Sequence, residues 1–261
     1  MPTEFRVLAV IPARWASSRF PGKPLVHIAG VSMIQRVVEQ AKKAKCVDEV
    51  IVATDDSRIL EAITKQGGTA VMTSPDHESG TDRVAEVARD KDCDIVVNVQ
   101  GDEPLIPPQN IDLVVKPLME DAATLVSTLR ILIRDQKELM NPNITKVVVD
   151  KFDSALYFSK ALIPWDRDSW SDSMGPLPDS AMESLHWYKH IGLYAYRKGF
   201  LMEYTKLPVS SLEKIEKLEQ LRILENGIPI KVLETKLDST GVDTEADIAT
   251  IEKQLSYSPE H

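Results

Sequence analysis

Three cationic side chains, Arg14, Arg19 and Lys23, crowd the loop that follows the apolar run Val7-Leu8-Ala9-Val10-Ile11. Charges this close repel one another unless a polyanion sits among them, and a nucleoside triphosphate is the obvious candidate. The apolar run reads as a buried strand, and open α/β sheets bind ligands beyond the carboxyl ends of their strands. The loop is not a P-loop. Ser17 stands where that motif needs glycine, and Pro24 follows Gly22-Lys23 where it needs a hydroxyl. Pro24 also disfavours a helical Lys23, so the chain is expected to stay extended past the lysine. No G-x-G-x-x-G occurs, which argues against a dinucleotide site. The competing reading is a basic surface loop that turns at Pro21-Gly22.

Two acidic segments could complement this loop. Val96-Val97-Asn98-Val99-Gln100-Gly101-Asp102-Glu103-Pro104 ends a buried strand in carboxylates, which places Asp102 at the same sheet edge. An aspartate there suits Mg²⁺, which takes one or two carboxylates plus phosphate oxygens; the competing reading is an aspartate that caps a turn. In Gly241-Val242-Asp243-Thr244-Glu245-Ala246-Asp247, Thr244 reads as a helix N-cap and Asp247 as its box partner. Asp243 is then either free for a metal or an acid favoured near a helix start. Ser79-Gly80-Thr81-Asp82-Arg83 opens another helix with Thr81 as N-cap, and Arg83 is either a carboxylate clamp or solvated helix surface. His190, Gly192 and Tyr194 alternate onto one strand face. They suit a polyhydroxylated sugar, or else a half-buried strand with a satisfied histidine.

These residues need a frame, and β-rich runs alternating with helical patterns supply it. Strands are predicted at Val7–Ile11, Glu49–Thr54, Thr69–Met72 and Asp94–Val99. Helices are predicted at Met33–Lys45, Arg58–Gln66 and Asp82–Arg89, the second stopped by Gly67-Gly68. This rhythm is that of an α/β protein with a doubly wound, mostly parallel sheet. Strands at Ala123–Arg130, Thr145–Val149, Ala155–Phe158 and Tyr188–Tyr196 make a mixed β excursion, interrupted by a polar loop at Ile163–Leu185. Helices at Gly199–Thr205 and Ser211–Glu225, a strand at Ile230–Leu233 and a helix at Glu245–Gln254 complete one domain over 1–255, with 256–261 a tail. The Ser211–Glu225 helix reads as continuous, with Glu213–Lys217 a favourable i,i+4 pair.

A net charge of −9 argues against broad nucleic-acid or anionic-membrane binding. A bound nucleotide must therefore rely on the local cationic cluster. Cys46 and Cys93, without C-x-x-C spacing, read as reduced thiols of a cytoplasmic protein. Met1–Arg6 is too short and polar for a signal peptide.

Pro12-Ala13-Arg14, Ser17, Arg19 and Pro21-Gly22-Lys23-Pro24-Leu25 resemble the N-terminal signature of the sugar-activating cytidylyltransferases, in the form that acts on 3-deoxy-manno-octulosonate (Kdo). Gln100-Gly101-Asp102-Glu103-Pro104, Val242-Asp243-Thr244, His190-x-Gly192-x-Tyr194 and Leu218-Glu219-Gln220-Leu221-Arg222 extend that resemblance over nearly the whole chain. It implies a nucleotide-diphospho-sugar transferase-like fold, and transfer of CMP from CTP to Kdo with release of pyrophosphate, for lipopolysaccharide biosynthesis. It also implies that Arg14, Ser17, Arg19 and Lys23 hold the triphosphate, that Asp102 and Asp243 bind Mg²⁺, and that Arg14, Lys23, Asp102 and Asp243 form the catalytic set. Cytosine would be read near Met72 and Thr73, with Gln100 beside the nucleotide. The sugar would meet Arg83, Gln100, His190, Tyr194, Glu219 and Gln220. Family members are commonly dimers, which points to a homodimer through 123–196. A cytidylyltransferase for another acidic sugar is the nearest alternative.

Overall fold

The computed structural model describes residues 5–16, 20–168 and 186–257. Strands β1 (Val7–Ala13), β4 (Glu49–Thr54), β5 (Thr69–Met72) and β6 (Ile95–Asn98) are parallel, and β2 (His27–Ile28) with β3 (Val31–Ser32) forms a small separate hairpin. After them come β7 (Val126–Leu132), β8 (Lys146–Val149), β9 (Ala155–Ser159), β10 (Tyr188–Arg197) and β11 (Lys231–Thr235). The main sheet runs β11-β7-β10-β6-β1-β4-β5, with β8 beside β10 and β9 beyond β8. β10 is antiparallel to both β6 and β7, so the expected mixed excursion is present and continuous with the parallel half.

The helices are α1 (Met33–Lys43), α2 (Ser57–Lys65), α3 (Gly80–Arg89), α4 (Pro108–Glu120), α5 (Gln136–Met140), α6 (Lys198–Tyr204), α7 (Ser211–Glu216), α8 (Leu221–Glu225) and α9 (Glu245–Tyr257). Val7, Ala9 and Ile11 pack with α1, α2 and α4, whereas Leu8 and Val10 pack with α3 and α6 on the opposite face. A strand buried on both faces must be apolar throughout, which is why the N-terminal run shows no alternation. The chain leaves β1 toward β4 and β5, then returns to place β6 on β1's other side. The crevice beyond the carboxyl ends of β1 and β6 is the topological switch point, where such sheets take ligands.

Several elements depart from the sequence reading. Helix α4 falls where no element was expected. Pro108 sits at the helix start, where its missing N–H costs nothing. The spacing of Ile111, Val114, Val115 and Leu118 was its legible signal. The expected Ser211–Glu225 helix is two short helices. Lys217 adopts a left-handed conformation (φ 57°) that ends α7, and a turn through Leu218 to Gln220 precedes α8. Glu213 does not pair with Lys217; it takes Arg222 through two hydrogen bonds of 2.6 and 2.7 Å. The N-cap of α3 is Ser79, whose hydroxyl accepts from the Asp82 amide at 3.1 Å, and not Thr81. Most of the 163–185 loop lies outside the described residues.

Candidate active site

Gly101 lets the ends of β1 and β6 close on each other: a Cβ there would stand 2.7 Å from the Pro12 carbonyl oxygen. Beyond that contact the first loop folds back on itself. The Gly22 amide donates to the Trp15 carbonyl at 3.1 Å, and Gly22 takes a left-handed φ of 73° that its missing side chain permits. The chain does not stay extended after the lysine. Lys23–Leu25 forms one 3₁₀ turn, with the Leu25 amide bonded to the Gly22 carbonyl at 2.9 Å. So short a turn makes no use of the N–H that Pro24 lacks, so proline is tolerated there. The Arg58 guanidinium, paired with Asp56, lies 3.3 Å over the Trp15 ring and fixes the loop from outside.

This turn aims Lys23 inward. Its Nζ donates to Asp102 Oδ2 at 2.8 Å and to the Val242 carbonyl at 2.7 Å, and lies 3.6 Å from Asp243 Oδ1. Asp102 and Asp243 therefore converge on one cationic centre although they come from distant parts of the chain. The Val242 amide bonded to the Asp102 carbonyl at 2.9 Å brings the two segments together. Apolar packing of Val242 and α9's Ile251 against Ile28 and Met33 holds them there. Asp247 accepts the Asp243 and Thr244 amides at 2.9 and 2.7 Å, so α9's own acid serves the helix start and Asp243 points elsewhere. Below Asp102, burial pushes the Glu103 carboxyl up to about 7 while Ser239 donates to it.

Arg14, Lys23, Gln100, Asp102 and Asp243 line one cavity of about 390 Å³. Arg14 Nη2 is buried in it without a hydrogen-bond partner among the described residues. A guanidinium nitrogen left in that condition costs free energy unless a ligand supplies the acceptor. Ser17 and Arg19, the other two triphosphate candidates, lie outside the described residues.

A second cavity of about 250 Å³ adjoins the first and shares Gln100 with it. His190, Gly192, Tyr194 and Tyr196 of β10 form one wall, Thr81 and Asn98 a second, and Lys217 to Gln220 a third. Asn98 Oδ1 and Gln220 Nε2 are buried beside it without hydrogen-bond partners among the described residues. Orphaned neutral acceptors and donors facing one space suit a polyol, whose hydroxyls both donate and accept. Burial pushes the His190 imidazole down to about 3, and Thr128 bonds its Nε2 at 2.9 Å, so this histidine is neutral. The Glu219 carboxyl, raised by burial, accepts the Thr81 hydroxyl at 2.9 Å. Tyr204 donates to the Glu219 carbonyl at 3.0 Å and stacks on Tyr196.

Arg83 belongs to neither cavity lining. It is neither a clamp on the sugar side nor solvated surface: its side chain is fully buried, bonded to Asp55 at 2.8 Å and to Thr73. The reason is helix phase, which turns it under the carboxyl ends of β4 and β5, away from the Thr81 side of α3. Thr73 is accordingly committed to Arg83 and the Thr54 carbonyl, and Met72 is exposed at the sheet edge outside both linings. Sequence reasoning missed Asn98, Tyr196, Tyr204 and Lys217. Asn98 alone carried a signal, as an amide interrupting the valine run of a buried strand.

The cytidylyltransferase family model matches residues 8–235. The chain belongs to the cytidylyltransferase family. It is 50% identical over 253 residues, 96% of its length, to the 3-deoxy-manno-octulosonate cytidylyltransferase of Geobacter metallireducens, covering 98% of that protein. The enzyme of the same name from Geobacter sulfurreducens is 51% identical over 251 residues, 95% of this chain and 99% of that one. Among solved structures, a CMP:2-keto-3-deoxy-manno-octonic acid synthetase complexed with CTP superposes with a TM-score of 0.88 at 42% identity, over 97% of this chain and 99% of that one. A cytidylyltransferase of Leptospira borgpetersenii, 16% identical with a TM-score of 0.62, shares the fold. The doubly wound sheet with its mixed extension is thus this family's architecture, and the chain is a nucleotidyltransferase.

Proposed function

We propose that this cytidylyltransferase transfers CMP from CTP to Kdo, giving CMP-Kdo and pyrophosphate. The observation that carries this reading is the pair of joined cavities. One presents Arg14, Lys23 and two convergent aspartates, and the other presents orphaned neutral hydrogen-bonding groups, with Gln100 at the junction. Close relatives named for this reaction support the choice of nucleotide and sugar.

In the reaction the anomeric hydroxyl oxygen of the sugar attacks the α-phosphorus in line. The new O–P bond replaces the bond to the bridging oxygen of the leaving pyrophosphate, and the hydroxyl proton goes to solvent. Such chemistry asks for positioning and charge neutralisation more than for a covalent protein nucleophile. Arg14 and Lys23 would hold the triphosphate and balance charge on the leaving group. Neutral His190, Tyr194, Asn98 and Gln220 would orient the sugar, and Gln100 would fix the distance between the partners.

Asp102, Asp243 and the Val242 carbonyl already surround one positive charge, the Lys23 ammonium, and hard oxygen donors of this kind fit Mg²⁺. When bound there, Mg²⁺ would lower the pKa of the attacking hydroxyl and neutralise phosphate charge. Cytoplasmic location and a role in lipopolysaccharide biosynthesis belong to the same reading; no helix among the described residues is long and apolar enough to cross a membrane. So does a homodimer through the mixed β region, supported by Phe152, Leu156 and Trp165, which expose 66%, 62% and 50% of their surface there. Pyrophosphate release tests the activity. It is expected with CTP, Kdo and Mg²⁺ together, and release that is equal with a sialic acid, or independent of sugar, would refute it.

A further inference from the structure

We propose that Lys23 couples nucleotide binding to metal binding. Its ammonium and a divalent cation compete for the Asp102–Asp243 pair, and the triphosphate opens the pair by drawing the lysine away. This inference rests on the metal reading given above.

The geometry sets up the competition. An ammonium has three protons to donate. Here two go to Asp102 and to the Val242 carbonyl, and Asp243 lies nearby on the remaining side. A Mg²⁺ ion bonded to Asp102 at about 2 Å could lie no more than about 5 Å from this Nζ, which itself is 2.8 Å from the same carboxylate oxygen. Only 14% of the lysine side chain is exposed, so little water separates such a pair of charges. Two positive charges that close repel strongly in a half-buried site. The protein therefore satisfies its aspartates with an internal cation, and a metal must displace that cation to bind well.

The nucleotide supplies the displacement. Arg14 lines the same cavity, with its Nη2 buried and short of an acceptor among the described residues, and would give a triphosphate its first fixed contact. Lys23 has a four-carbon stem and follows Gly22, so its ammonium can swing from carboxylate to phosphate at small cost. Once it moves, the aspartates face a ligand that adds negative charge, and a divalent cation becomes the favoured partner for both. Linkage makes the effect reciprocal: the metal strengthens the triphosphate by the factor by which the triphosphate strengthens the metal. Metal held without nucleotide would be unproductive, and this arrangement discourages it.

The test is a Mn²⁺ titration of the full chain without nucleotide or sugar, with free Mn²⁺ read by electron paramagnetic resonance. Wild type, Lys23→Met, Asp102→Asn, the double variant and Arg14→Met are compared. Lys23→Met is expected to bind one Mn²⁺ about tenfold more tightly than wild type, within the usual range of coupling between sites. The gain should vanish in the double variant and be several-fold smaller in Arg14→Met, which removes a charge from the same cavity lining. If Lys23→Met binds no tighter than wild type while Asp102→Asn binds more weakly, the coupling is wrong and the metal assignment survives. If all five proteins bind alike, the metal assignment itself fails. Equal gains in Lys23→Met and Arg14→Met would reduce the effect to bulk charge and overturn the coupling. Thermal melts check each variant, and Lys23→Gln carries the same comparison if Lys23→Met fails to fold.

Discussion

The two halves of the active site solve opposite problems with opposite chemistry. The cavity proposed for the nucleotide is ionic: Arg14, Lys23, Asp102 and Asp243 meet at strand ends and loops, where backbone contacts such as Val242 to Asp102 hold them together. The cavity proposed for the sugar is largely neutral. His190 is kept uncharged, Gln220 Nε2 has no hydrogen-bond partner among the described residues, and an aromatic ladder of Tyr194, Tyr196 and Tyr204 gives the wall its shape. A triphosphate with its counter-ion needs charge, which acts over distance and tolerates loose geometry. A polyol offers many weak, directional groups, so its pocket must be rigid and its donors and acceptors individually placed.

Substitutions on the two sides should therefore fail differently. Asp102→Asn is expected to lower kcat at least about 10³-fold with an unchanged circular dichroism spectrum, since it removes an electrostatic group at the reacting centre. Near-normal turnover across a Mg²⁺ titration would remove Asp102 from its role. His190 gives the next largest effect, through stability. Its native pKa of about 3 lies below the ordinary 6.5, so the unfolded chain binds the extra proton between those values and stability falls as pH drops through that window. Between pH 7 and 5 this amounts to about 2 kcal/mol. Glu103, raised to about 7, works with the opposite sign between 4.5 and 7, gaining native-state protons as pH falls. Comparison with His190→Gln isolates the histidine. The variant should lose less stability on acidification in urea titrations at the two pH values, and parallel losses would contradict a neutral, half-buried His190.

On the sugar side, Gln220→Ala should raise the sugar KM about tenfold, the worth of one or two buried hydrogen bonds, with the CTP KM unchanged. Tyr204→Phe removes the hydrogen bond to the Glu219 carbonyl and should raise the same constant about fivefold by loosening the Leu218–Gln220 turn. An equal rise in the CTP KM for either variant would mean that the two cavities do not divide the work as described.

The ionic half was the more legible in sequence, for a physical reason. Its residues sit at the ends of short apolar runs, and a strand end announces where its next residues must go. Thr244 and Asp247 account for the helix start without Asp243, which left its role an even choice on pattern and a matter of the family resemblance. The neutral half depends on tertiary packing that overrides local pattern. Leu212, Ile215 and Leu218 have helical spacing, yet Ile215 is 77% exposed, and the left-handed Lys217 turns Glu219 and Gln220 into the pocket. Thr81 read as a cap because Ser79 is an equally good one two residues earlier. Arg83 read as surface or clamp because its partners, Asp55 and Thr73, lie on other strands. Helix α4 was not read at all, although it runs through Pro117 in the interior of the fold.

The contrast between the two cavities can be measured on one unmodified preparation. At saturating Mg²⁺, the KM for CTP and the KM for Kdo are each determined from pyrophosphate release at 50 mM and at 500 mM added salt. Kdo brings one carboxylate where CTP brings several phosphate charges, so the CTP constant is predicted to climb several-fold while the Kdo constant moves less than about twofold. A Kdo constant that climbs in step with CTP would contradict the division of labour between the two pockets.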